Sequence, residues 1–122
     1  MTKLRLLSEL RRLLAQPDTQ VIERRQKWCG QSTWDYDEAS PKRVTNIRIF
    51  RDSRRDGKVR LVIHELLHVY MALHLGIDDR MVYELEEAAI LGWEAKLYAW
   101  LHAPKHTREL ESWNKAIERK VR

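Results

Sequence analysis

His64-Glu65-Leu66-Leu67-His68 sets two imidazoles four residues apart, with a carboxylate beside the first. On a helix such a pair shares one face, about 6 Å apart along the axis. The neutral nitrogens of His64 and His68 can then converge on one metal ion, and their chemistry suits tetrahedral Zn²⁺. Glu65, one step round the helix, lies beside such an ion rather than on it, where it can take a proton from an activated water. The motif sits among Leu61, Val62, Ile63, Leu66, Leu67 and Val69, which bury the helix on most sides. Polar groups buried there without a partner cost on the order of 2–7 kcal/mol each. Metal ligation therefore explains the motif better than a hydrogen-bonded pair of core histidines.

A catalytic zinc takes three protein ligands and keeps one position open, so a third ligand must come from elsewhere in the chain. His74 completes a H-E-x-x-H-x-x-x-x-x-H spacing. Ligation at that spacing needs a glycine three residues after the second histidine to turn the chain back. That position is Met71, followed by Ala72 and Leu73, and all three suit a continuing helix. His74 would then lie about 9 Å beyond His68 and point elsewhere. His102 and His106 are later candidates. Between His74 and His102 lies the acidic cluster Glu84, Glu86 and Glu87, in which Glu84 and Glu87 share a helix face. If Gly76-Ile77-Asp78 reverses the chain, the following helix returns alongside the first. His68 is about two turns before that reversal and Glu87 about two and a half turns after it, whereas Glu84 falls nearly a turn short. Level-matching favours Glu87, and Ala88 and Ala89 permit close helix approach.

His64-Glu-Leu-Leu-His68, a short glycine-containing turn and Glu87-Ala-Ala-Ile-Leu91 together resemble the gluzincin zinc peptidases. The order of elements over residues 26–102 is similar to the single-domain minigluzincins and to the core of ImmA/IrrE-type peptidases. The resemblance implies a small zinc-dependent metallopeptidase with His64, His68 and Glu87 as ligands and Glu65 as general base. It also implies that a peptide or protein substrate is bound as an added strand along the sheet edge, here the aromatic stretch Trp28–Tyr36. In larger gluzincins an aspartate four residues after the ligand glutamate orients a histidine; Leu91 stands there in this chain. Tyr83, Tyr98, His102 and His106 are the candidates for a further donor to the oxyanion. SprT-like proteases, which take a histidine as last ligand and act at DNA, are the alternative resemblance.

The elements that must position these groups follow from periodicity. Residues 2–16 predict an amphipathic helix with Leu4, Leu7, Leu10, Leu13 and Leu14 on one stripe, stopped by Pro17 and Asp18. Strands are expected near 27–36 and over Val44–Phe50, joined by Asp37–Pro41 as an antiparallel pair. Cys29 reads as a small buried strand residue. Arg51–Gly57 reads as a loop with Asp56 capping a metal helix from Lys58 to Leu75, ended by Gly76. A glutamate helix capped by Asp78 runs to His102 and breaks at Ala103-Pro104. A last amphipathic helix over 107–120 turns Leu110, Trp113 and Ile117 inward. The expected fold is α+β: a small antiparallel sheet with an N-terminal helix, a central metal helix, a glutamate helix and a C-terminal helix, in one domain over residues 1–122.

The net charge of +5 is uneven, because residues 1–60 carry 15 Lys/Arg against 8 Asp/Glu. Much of the excess lies in Lys42–Arg60, a candidate footprint for nucleic acid or an acidic partner. That segment lacks the aromatic interleaving of a single-strand binder, so nucleic acid is not the expected partner. No apolar run is long enough to span a bilayer. Charges interrupt the first residues too early for a signal peptide, and the N-terminal helix has no Trp or Phe to anchor it on a membrane surface. A single cysteine suits a reducing compartment, so the cytoplasm is expected.

Overall fold

The computed structural model describes the backbone of residues 2–24, 30–37, 40–50, 55–75 and 83–121, and side chains over 2–23, 46–49, 57–73 and 87–121. The order is α1 (Lys3–Leu14), β1 (Thr19–Arg24), β2 (Gly30–Asp37), β3 (Ser40–Phe50), α2 (Arg55–Leu75), α3 (Tyr83–His102), a 3-10 turn (Pro104–His106) and α4 (Thr107–Lys120). This is an α+β fold, with the helices outweighing one small sheet.

Thr2 starts α1 by accepting a hydrogen bond from the Arg5 amide at 3.1 Å. The buried stripe is Leu6, Leu7, Leu10 and Leu14, whereas Leu4 is 49% exposed and Leu13 half-buried. Leu7, Leu10 and Leu14 lie on the expected stripe, which Leu6 joins on one side while Leu4, at its opposite edge in the first turn, is left out. After Leu14 the chain tightens, with the Thr19 hydroxyl donating to the Leu13 carbonyl at 3.0 Å, and enters β1.

The sheet has order β1-β3-β2. β2 and β3 pair antiparallel from Gly30↔Ile49 to Asp37↔Ser40, as a short connection favours. β1 pairs parallel to β3 in the register Val21↔Ile47. The sheet is therefore mixed rather than purely antiparallel. Its third strand, Thr19-Gln-Val-Ile-Glu-Arg24, has only two aliphatic residues and they are adjacent, so no alternation announced it. On β3, Ile47 and Ile49 are fully buried and Arg48 between them is half-buried, the period of two that a one-sided sheet requires.

α2 is the centre of the molecule. It packs on α1, α3, α4, β2 and β3, and Val59, Val62, Ile63, Leu66, Leu67 and Val69 are buried around it. Each such side chain contributes about 1.5–3 kcal/mol by leaving water. The helix starts at Arg55, so Asp56 lies inside its first turn rather than capping it. Gly76, the Asp78 cap and Cys29 lie outside the described residues.

α3 buries Ile90, Glu94, Leu97 and Leu101, one face at spacings of four, three and four. It ends where Pro104 opens the 3-10 turn. There the His106 ring stacks on Trp100 with centroids 3.5 Å apart, and its Nδ1 lies 2.7 Å from the Trp100 carbonyl oxygen. α4 turns Trp113, Asn114 and Ile117 into the core, with Leu110 half-buried. No helix among the described residues is long and apolar enough to cross a membrane.

Candidate metal centre

Helical spacing on α2 brings the His64 and His68 rings to one face, with centroids 5.1 Å apart. α3 crosses there and inserts Glu87 between them. Glu87 Oε1 lies 3.0 Å from His64 Nε2, and Oε2 lies 2.8 Å from His68 Nε2. One ligand atom from each of the three residues falls within 4.8 Å of the others, so the group can hold a metal ion.

Glu87 Oε2 itself tests the fit. It is buried and makes no hydrogen bond, although an imidazole nitrogen is 2.8 Å away. A buried carboxylate oxygen left in this state is expensive, and a cation between the three donors removes that cost. Donors of a four-coordinate zinc with bonds of about 2.0–2.1 Å stand roughly 3.3 Å apart, slightly wider than the two gaps between Glu87 and the histidines. Two imidazoles and one carboxylate are also the donor types of an open, catalytic zinc site.

Behind His64 stands a carboxylate that the sequence reading did not single out. Glu94 is 6% exposed, and its Oε2 is 2.6 Å from His64 Nδ1. Its Oε1 accepts from Arg60 Nε at 2.5 Å, and the Arg60 guanidinium lies 5.1 Å from the centroid of the Tyr98 ring. An ionised Glu94 holds the proton on Nδ1 and leaves the Nε2 lone pair facing Glu87, the orientation a metal ligand needs. The seven-residue spacing from Glu87, two helical turns, was the signal for it, along with a charge amid the apolar positions 90, 97 and 101.

The electrostatics bear on both partners. Burial resists charge on His64, but the Glu94 hydrogen bond and the nearby charges of Glu65, Glu87 and Glu94 outweigh it and raise its pKa above the ordinary histidine value. Burial likewise pushes Glu94 up, and the hydrogen bonds and charges of His64 and Arg60 overcome that to leave it lowered. Glu65 is 5% exposed and close enough for its charge to act on His64.

The other candidates sit elsewhere or outside the described side chains. α2 runs unbroken through His74 to Leu75, as its residues predict, with the His74 side chain outside the described set. The side chains of Tyr83, Glu84 and Glu86 are outside it too. His102 packs on Tyr98 with centroids 4.1 Å apart, and His106 is held by Trp100. Neither joins the donor group, and Tyr98 is engaged by Arg60 behind His64. Most side chains of Lys42–Arg60 are outside the described set; of those within it, Lys58 pairs with Glu23 at 2.5 Å and Arg60 with Glu94. Compared with protein-family models, curated proteins and solved structures, the chain finds no match in any of the three.

Proposed function

We propose that this chain is a small zinc-dependent metallopeptidase of the gluzincin kind, hydrolysing peptide bonds in a peptide or protein substrate. The observation that carries the reading is the Glu87 carboxylate, which spans both imidazole nitrogens at 3.0 and 2.8 Å with one oxygen otherwise unsatisfied. His64, His68 and Glu87 would hold the ion. When bound, it would supply Lewis-acid chemistry, polarising a carbonyl and making a water acidic near neutral pH.

The chain's own groups supply the rest. Glu65, buried beside His64 on the same helix, is the general base: its carboxylate takes the proton of the attacking water and returns it to the leaving amine. Glu94 and Arg60 hold His64 in its working orientation. β2 is an edge strand of the sheet and packs on α2, so its outer edge suits a substrate segment added as a further strand. The single cysteine favours a reducing compartment, the cytoplasm.

Two measurements on purified protein test the reading. Metal analysis should find close to one zinc per chain. Glu65→Gln should keep that zinc and the fold while abolishing cleavage of a peptide library, because an amide cannot take the proton. Folded protein that contains no metal and gains no stability from added zinc would refute the site. Equal cleavage by Glu65→Gln and the parent would refute the base.

A further inference from the structure

The C-terminal ends of α1 and α4 lie side by side and enclose a groove of about 430 Å³, within the range of ligand sites. Among the described residues none lining it belongs to α2 or α3, so it is separate from the metal donors. Arg11 and Arg12 come from the last turn of α1, Arg119 and Lys120 from the last turn of α4. Ala15 and Ala116 add apolar wall, and no acidic side chain lines the groove among the described residues.

Cations in a helix's last turn complement its own carbonyl end. That accounts for each pair on its own helix. It does not account for four positive groups meeting around one cavity, where like charges repel. Two of them are fixed in place by neutral partners and keep their charge: Arg11 Nη1 donates to Ser112 Oγ at 2.8 Å, and Lys120 Nζ donates to the Gln16 carbonyl at 2.9 Å. Arg12 reaches Glu9 only at 3.7 Å from a side chain 73% exposed, a pair worth little in water. The groove is thus a pre-organised positive field over a partly apolar wall.

We infer that this groove docks an acidic peptide segment carrying apolar side chains, contributed by a partner protein. The four cations match the carboxylates, and the Ala15 and Ala116 surface matches an aliphatic side chain between them. A single-stranded nucleic acid would want aromatic platforms for its bases, and among the described residues no aromatic side chain lines the groove.

Fluorescence anisotropy with short labelled peptides tests this. A repeating Glu-Glu-Leu peptide should bind, an all-Glu peptide of equal length more weakly, and a Lys-Lys-Leu peptide not at all. Arg12→Glu combined with Arg119→Glu should weaken Glu-Glu-Leu binding by at least about tenfold, as reversed rim charges do, with zinc content unchanged. Arg12→Gln with Arg119→Gln, a milder pair, should show a smaller loss in the same direction and serves if the reversal disturbs folding. His68→Ala protein should bind the peptide as the parent does, which separates this surface from the metal reading. Absence of peptide binding, unchanged affinity in both double variants, or all-Glu peptide binding as tightly as Glu-Glu-Leu would overturn the inference. So would short poly-dT binding tighter than the peptide and being lost in the same variants, which would give the surface to nucleic acid.

Discussion

α1 and α4 sort their residues by the ordinary rule, and α2 and α3 break it. On α1 the leucines at 6, 7, 10 and 14 are buried while Arg5 and Arg12 face water. On α4, Trp113 and Ile117 go inward and Lys115, Glu118 and Arg119 outward. Across the molecule, α2 and α3 carry apolar residues in every direction, yet Glu65 and Glu94 are buried while Leu91 and Trp93 are 49% and 40% exposed. A helix that is apolar all round belongs in a core, and charges inside one persist only where partners hold them. The contrast separates the part of the fold chosen for stability from the part that gives up stability to a site.

The largest test of that contrast exchanges damage between the regions. His68→Ala should abolish tight zinc binding while leaving a folded protein, whereas Leu10→Ala should lower the unfolding free energy by about 2–5 kcal/mol without changing zinc affinity of the folded fraction. Chelator competition and urea unfolding on both variants supply the four numbers. If Leu10→Ala weakens zinc as much as His68→Ala does, the regions are not separable.

A smaller effect is expected one step back from the donors. Glu94→Gln should weaken zinc by about 10–100-fold, the usual consequence of removing the group that orients a ligand histidine. Arg60→Met should act in the same direction but less, since Glu94 keeps its bond to His64. Wild-type affinity in Glu94→Gln would show that His64 is oriented by its packing alone.

The subtlest effect is in pH. In the metal-free protein the raised His64 pKa contributes stability that is complete below about 6.5 and lost as pH rises through its folded value. The lowered Glu94 pKa contributes stability that is complete above about 4.5 and lost as pH falls through its folded value. Their pairing is therefore worth most between these two values. Zinc requires neutral His64, so the stabilisation it adds should grow as pH rises out of that window. Thermal melts with and without zinc across the pH range check both slopes, and a zinc increment largest inside the window would contradict them.

Much of this architecture was readable from local pattern. The two histidines announced themselves by spacing, and helix rise on either side of an expected reversal pointed to Glu87, which lies against both; the reversal itself is outside the described residues. The helix break at Pro104 and the inward face of α4 needed only proline chemistry and a period of 3.6. What escaped were features set by distant contacts. β1 has no alternation of its own and becomes a strand through pairing with β3. Glu94 looked like one more charge on a helix until α2 supplied both His64 and Arg60 to it. Leu4, at the edge of the stripe in the first turn of α1, stays exposed because no local rule fixes how far neighbours will cover a stripe's edge.

The position of α2, touching three helices and two strands, carries a consequence for motion. The amides nearest the histidines sit in the most deeply packed segment, where hydrogen exchange proceeds only when much of the domain opens at once. A ligand bound to the folded form alone lowers the population of every opened state that breaks its site by one common factor. Zinc would therefore slow exchange not just at residues 64–68 but across the segments packed on α2, including β3 and the inner turns of α1, in equal measure. A local ligand would be read as a change in the breathing of the whole molecule.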